Sequence, residues 1–385
     1  MKPRTVQLAE VMTVDRTAAS ETECRTLPYV GLEHIEKNAG HFTADFRRTP
    51  ETLLATKYRF TPRHVLYGKL RPNLNKITLP DFDGVCTTEI LPLMPQPQTL
   101  DRGYLYGALL SQRFVKWASN SVSGANLPRL DPERLREYEI ELPDLSEQQR
   151  VAGRLEQADR LRRTRRYALE LTDTFLPAAF LELFGDPTTN PLGLPVAELG
   201  NFLSFVTSGS RGWADYYVPE GARFIRSLDV RMNYISDEDA VFVKPPNGAE
   251  VDRTRVKPAD VLLTITGSRI GRVAPVPERL NGAFISQHVA ILRLKAGLLP
   301  EFLAMFLSLD TGGQRQIARV QYGQTKPGLN LDQIREMRVP VPHVCHQQRF
   351  LELAKRVERL RAVQREALRQ AEHLFSSLLH RAFSG

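Results

Sequence analysis

The chain has 385 residues, 42% of them hydrophobic, and carries 52 Lys and Arg against 44 Asp and Glu, a formal net charge of +8. That is room for two or three ordinary domains with real cores, which excludes a disordered chain. The mild positive excess admits an anionic partner without requiring one. No run reaches the roughly 18 apolar residues of a membrane helix, and three scattered cysteines without CxxC spacing argue against a disulfide frame and for a reducing cytoplasm.

Residues 1–143 read as short strand-like runs cut by Pro, Gly and Asn, such as Tyr29-Val30-Gly31-Leu32, Val65-Leu66-Tyr67 and Val85 to Leu91, with a short helix over Tyr104 to Trp117. From Ser146 to Phe184 the only breakers are Gly153 and Pro177, and Arg, Leu, Ala and Glu dominate, which predicts one long helix. Ser146 with Gln149 three residues later is a capping-box signature, and Pro177 predicts a kink or an interruption near Leu176. Gly185-Asp186-Pro187 ends this spacer, residues 144–187. Residues 188–342 repeat the plan, with strand-like runs at Arg223–Ile225, Val261–Ile265 and Ala283–Ser286 and a short helix near Glu301 to Leu309. A second long helix follows within residues 343–385.

The two halves are the same text written twice. Gln148-Gln149-Arg150 recurs 199 residues later as Gln347-Gln348-Arg349, and the same offset pairs Gly124 with Gly323, Pro128 with Pro327, Leu130 with Leu329, and Arg160-Leu161-Arg162 with Arg359-Leu360-Arg361. A repeat this long is a duplicated domain rather than a solenoid unit. The second helix has a heptad seam in which Phe350, Val357, Ala371 and Leu378 form one row, and Leu353, Leu360, Ala367 and Leu374 the complementary one. The first offers a mixed stripe of Val151, Leu155, Ala158, Leu161, Ala168, Leu169, Phe175 and Leu176. Antiparallel pairing of two helices of this length gives a spacer on the order of 55 Å. The fold class is α+β: two strand-rich α/β domains separated by two long helices pairing as an antiparallel coiled coil, with a pseudo-twofold internal repeat. Two related heads with a basic bias suit duplex DNA, whose successive turns lie about 34–36 Å apart.

The residues resemble the specificity subunit of type I restriction-modification systems. In the first half the likeness rests on Tyr29 to Ile35, on Val65-Leu66-Tyr67-Gly68-Lys69-Leu70-Arg71-Pro72-Asn73-Leu74-Asn75-Lys76 and on Thr87-Thr88-Glu89. In the second it rests on Thr207-Ser208-Gly209-Ser210 leading to Phe224-Ile225-Arg226, on Gly267 to Arg272 and on Ser286-Gln287-His288. It spans essentially the whole chain, one departure being Cys345 where the repeat places the capping Ser146. The resemblance implies a non-catalytic DNA-recognition subunit that binds a bipartite asymmetric target in double-stranded DNA. It implies two modification subunits that use S-adenosylmethionine to methylate adenine at N6, and restriction subunits, motor-nucleases with ATP and Mg. No cofactor is implied for the chain itself; it has neither GxxxxGK[ST] nor GxGxxG. His343, Cys345 and His346 lack a second ligand pair at zinc spacing.

Reading bases takes Arg or Lys for guanine and Asn or Gln for adenine, with further cations and hydroxyls on phosphates. In the first domain the candidates are Tyr67, Lys69, Arg71, Asn73, Asn75 and Lys76. In the second they are Ser210, Arg211, Trp213, Tyr216, Tyr217, Arg226, Ser268, Arg269, Arg272, Gln321, Tyr322, Gln324 and Lys326. The run Arg160-Arg162-Arg163-Arg165-Arg166 is open to three readings, a track for phosphates, a modification-subunit contact or a solvated helical face, of which the last two are favoured. Two other readings stay open: a coiled-coil protein-interaction scaffold without DNA specificity, and the specificity subunit of a methylation-only system.

Overall fold

A computed structural model describes residues 4–49, 56–124, 126–246, 248–321 and 328–383. These form two compact units: one runs to Tyr167 and resumes at Gln364, the other is Ala168–Val363. Each unit therefore contains one strand-rich domain and half of each long helix, Leu145–Phe184 and Val344–Phe383.

Both units are built on one topology. In the first, a four-stranded sheet places Met12–Val14, Ile90–Pro95, Val65–Gly68 and Ile77–Thr78 side by side. In the second, Leu203–Ser208, Val289–Leu294, Val261–Thr264 and Val273–Pro275 take the same order. A second sheet in each unit contains a parallel pair, Tyr29–Val30 on Gly84–Thr87 and Ala222–Ile225 on Phe284–Ile285. The entry and exit strands of each domain also pair with each other: Arg4–Gln7 lies antiparallel to Glu139–Leu142, and Val196–Glu198 to Arg338–Pro340.

The apolar run at Val85 to Leu91 does not make one strand. It divides at Thr88-Glu89 into Gly84–Thr87 and Ile90–Pro95, which belong to different sheets. The helix expected over Tyr104 to Trp117 likewise becomes Arg102–Leu110 and Gln112–Asn120, because Ser111 leaves helical geometry and its Oγ accepts from the Phe114 N–H at 3.3 Å. Such a hydroxyl cap stabilises a new helix start at the cost of the old helix. The first long helix runs through Pro177 without a break. Its start is held by Asp144 rather than Ser146: Asp144 Oδ1 accepts from the Glu147 N–H at 2.9 Å and from the Ser146 hydroxyl at 2.6 Å.

Within each unit the helix halves pair antiparallel. In the first, Arg162 lies over Phe375 and Arg165 reaches Gln364; in the second, Asp173 meets Arg361 and Phe180 meets Phe350. Leu155, Ala158, Phe350, Val357, Ala371 and Phe375 are buried, while Val151, Ala168, Leu353 and Ala367 are half-buried. Four expected seam residues are not in it: Leu161 is 41% exposed, Phe175 48%, Leu360 50% and Leu374 44%. The row beside Phe350, Val357 and Ala371 lies four residues on, through Ala354, Arg361, Leu368 and Phe375, instead of three. Arg361 in this row, and Arg162 on the facing helix, can lie inside because their stems cover apolar surface while their tips find partners. Arg361 pairs with Asp173; Arg162, 7% exposed, pairs with Asp159 at 2.6 Å, donates to the Ala39 carbonyl and caps the Phe375 ring at 3.9 Å.

The repeated Gln-Gln-Arg joins each long helix to its domain. Gln148, 1% exposed, donates from Nε2 to the carbonyls of Thr99 and Pro143, both at 2.9 Å, and its Oε1 accepts from the Asp101 N–H at 2.9 Å. Gln347, fully buried, repeats the set with Gly297 and Pro342 at 2.9 Å and the Leu299 N–H at 2.8 Å.

Candidate nucleic-acid interface

In both domains the segment after the third strand of the large sheet is stitched to its surroundings by the same backbone bonds. In the first, the Lys69 N–H donates to the Glu89 carbonyl at 2.9 Å, and the Leu130 N–H to the Lys69 carbonyl at 2.9 Å. In the second, the Ile265 N–H donates to His288 at 2.9 Å, and the Leu329 N–H to Ile265 at 2.8 Å. Lys69 thus corresponds to Ile265, Glu89 to His288 and Leu130 to Leu329, and the frame that presents side chains is common to the two halves.

What the frame presents differs. In the first domain Arg71 takes a left-handed φ of 51° and is exposed, as is Asn73, while Lys69 is half-buried. Beside them Arg129 pairs with Glu89 at 3.0 Å. Three expected readers turn inward. Tyr67 sits on the interior strand Val65–Gly68, which is buried on both faces; its ring packs edge-on against Phe114 at 5.5 Å, and burial pushes its phenol pKa up. Asn75, 1% exposed, has a left-handed φ of 38° and donates to the Leu110 carbonyl at 3.4 Å. Lys76 donates to the Leu32 carbonyl, and burial lowers its ammonium pKa.

In the second domain a polar cleft of about 850 Å³ takes the place of the Arg129–Glu89 pair, lined by Ser210, Arg211, Tyr216, Arg253, Thr266 and His288. Thr266 Oγ1 contacts His288 Nδ1, and Gln287 Nε2 lies 3.2 Å from His288 Nε2. Arg253 donates to Thr207 Oγ1 and the Ser208 carbonyl. Arg211, Tyr216 and Tyr217 are exposed around the mouth. Trp213 belongs to the core instead: it is 5% exposed, packs on Phe224 and Phe284, and donates from its indole N–H to Ser210 Oγ at 3.0 Å. Arg226 is committed inward too, forking onto Asp229 at 2.9 and 3.2 Å, where the buried carboxylate holds its pKa up. Ser268 and Gln321 are exposed, Arg269 and Arg272 half-buried; Tyr322, Gln324 and Lys326 lie outside the described residues.

Sequence reasoning did not single out Arg253, Gln287 and His288 as candidate site residues, although all three line the cleft. The signal for His288 was present in the repeat, since it stands 199 residues after Glu89. No helix among the described residues is long and apolar enough to cross a membrane.

Comparison with known proteins gives this frame a family. The family model described as Type I restriction modification DNA specificity domain matches residues 74–171 and again 238–372, well over half of the chain. A stretch of 160 residues is 30% identical to the Type I restriction enzyme EcoDI specificity subunit of Escherichia coli, covering 40% of this chain and 35% of that subunit, about a third of the relative's length. The MjaVIII specificity subunit of Methanocaldococcus jannaschii is 18% identical over 317 residues, 78% of this chain and 74% of its own. The crystal structure of the type I restriction-modification S subunit from M. genitalium superposes with a TM-score of 0.64 at 15% identity, covering 100% of this chain and 99% of that one. A chain from a structure of type I R-M complex assembly and conformational transition gives 0.59 at 19% identity, covering 99% and 97%. At such identities these two structures speak to the fold, which is the duplicated one described above. With the family model matched once in each half, the chain belongs to the type I restriction modification DNA specificity family.

Proposed function

We propose that the chain is the cytoplasmic, non-catalytic DNA-recognition subunit of a type I restriction-modification complex. Residues 1–143 and 188–342 each read one half of a bipartite, asymmetric target in double-stranded DNA, and the helices in 144–187 and 343–385 serve as spacer and as a platform for partner subunits. Two modification subunits with S-adenosylmethionine methylate adenine at N6, and restriction subunits supply ATP- and Mg-dependent cleavage. The observation that carries the reading is the shared frame with unlike contents: equivalent backbone bonds present Arg71, Asn73 and the Arg129–Glu89 pair in one domain, and Thr266, Gln287 and His288 in the other. Different side chains in one frame read different base edges.

The test exchanges residues 1–143 for the corresponding segment of a relative and maps methylation by the complex with its modification subunits. One half-site should change while the other half-site and the spacing stay. A palindromic site, or simultaneous change of both halves, sinks the reading. The purified chain alone is expected to turn over neither S-adenosylmethionine nor ATP; turnover by contaminant-free protein counts against a non-catalytic role.

A further inference from the structure

The hairpin loop that delivers Thr266 to the polar cleft of the second domain also carries Arg269 and Arg272. Their position is built rather than incidental. Gly271 has a φ of 86°, and a side chain there would meet Gln314 Oε1 at 2.7 Å; Gln314 Nε2 in turn donates to the Gly271 carbonyl at 2.8 Å and to Leu307 at 2.7 Å. The base of the loop is closed by the Thr264 N–H to Arg272 carbonyl bond at 2.8 Å. A second turn is laid against it: the Arg231 N–H donates to Tyr234 at 3.0 Å, and Asn233, at a φ of 64°, donates its N–H to the Val273 carbonyl at 2.7 Å, next to Arg272. Arg269 Nη1 ties the loop to the Leu228 carbonyl at 3.3 Å. Three guanidiniums from two segments are thereby gathered at one place.

The described residues supply them with little negative charge. Asp229, the fixed carboxylate on the same segment, is fully buried and already shared by Arg223 at 3.3 Å and Arg226 at 2.9 Å. Arg231 has Glu238 at 3.9 Å, but that side chain is 84% exposed. Among the described residues, neither Arg269 nor Arg272 has a carboxylate at ion-pair distance, and the buried Arg231 Nε and Arg272 Nη1 have no hydrogen-bond partner. Burial, then the neighbouring Arg269 and Arg231, lower the pKa of Arg272, as expected where like charges are held together. Such a cluster is stabilised by an anion with several oxygens, which planar guanidiniums bind through forked hydrogen bonds.

We propose that Arg231, Arg269 and Arg272 form a backbone-phosphate site of the second domain, which holds the duplex beside the cleft without reading its sequence. The inference rests on the DNA-recognition reading above and adds a division of labour: one end of the loop faces base edges through Thr266, the other clamps phosphate. Contacts of this kind set register and affinity but carry no sequence information.

The test measures binding of the complex with its modification subunits to a target duplex and to a scrambled duplex, across a salt series. Each phosphate contact contributes about 0.9 to the slope of log affinity against log salt. The triple variant Arg231→Gln, Arg269→Gln, Arg272→Gln should lose about 2–3 from that slope on both duplexes and leave the methylated motif unchanged. The triple lysine variant, with the same charges, should keep most of the slope. If the wild-type complex does not bind its target, the functional reading itself falls. If it binds and the glutamine variant keeps the wild-type slope, or the lysine variant loses it equally, the phosphate site is wrong. A changed motif in the second half-site would make these residues base readers, and loss of co-purification with the modification subunits would make the cluster a protein contact; either overturns the proposal.

Discussion

Replacing Gln148 by leucine should unfold the first unit at a denaturant concentration well below wild type, and Gln347→Leu should do the same to the second. Each glutamine satisfies two carbonyls and one N–H of its own domain while fully buried. An apolar side chain leaves all three groups unpaired out of reach of water. At about 1–3 kcal/mol for each stranded group, of which partial relaxation recovers some, the loss is roughly 3–6 kcal/mol, a large share of the roughly 5–15 kcal/mol that stabilises a domain. The chain offers a clean readout, because its two tryptophans fall one to each unit, Trp117 in the first and Trp213 in the second. Guanidinium titrations in Trp213→Phe and Trp117→Phe backgrounds follow each unit alone. A shift worth less than about 1 kcal/mol would mean that the amides are not what joins helix to domain.

A second large effect separates two pictures of the helix pair. Phe350 is 1% exposed and packs edge-on against Phe180 at 5.4 Å and Phe184 at 5.9 Å, with Phe302 closing the cluster against both of the latter. Phe350→Ala should cost about 3–5 kcal/mol. Leu360→Glu and Leu374→Glu, at residues about half exposed, should each change stability by less than about 0.5 kcal/mol. Thermal melting of the three variants decides. A Leu360→Glu loss comparable to that of Phe350→Ala would return the seam to the leucine row. If the leucine variants melt normally yet fail to co-purify with modification subunits, that row is partner-facing surface.

The duplication, the two long helices and the strand-rich character of each half were legible because they rest on order and periodicity, which a sequence carries directly. The seam was not, because hydrophobicity favours leucine over arginine: nothing in the polarity of Arg162 and Arg361 says that their stems lie inside while Leu161 and Leu360 lie outside. Which candidate readers stay at the surface was not legible either, for a related reason. Tyr67, Asn75 and Trp213 are residue types that serve DNA contacts and also serve cores, and only the third dimension shows Tyr67 on a strand covered on both faces or Trp213 against Phe224 and Phe284. Asn75 takes a left-handed turn position that asparagine tolerates well, so its presence there has a conformational cause. Arg231 escaped notice because it stands far in sequence from the hairpin it joins, and only the fold, through the Asn233 to Val273 backbone bond and the Arg269 contact with the Leu228 carbonyl, brings the two together.

The pairing of each domain's entry strand with its exit strand has a consequence for how such a chain can change over time. Arg4–Gln7 lies against Glu139–Leu142, and Val196–Glu198 against Arg338–Pro340, so the polypeptide comes into and leaves each domain through adjacent doors. A segment whose ends meet can be cut out and replaced by another of different length or content, provided the newcomer keeps the short antiparallel ladder, the acceptors of the buried glutamine and the apolar face that packs on the helices, as Phe302 does on Phe180 and Phe184. Recombination between genes, with breakpoints at these two ladders, would therefore pass on an intact head as a cassette and leave the helices that receive it unaltered.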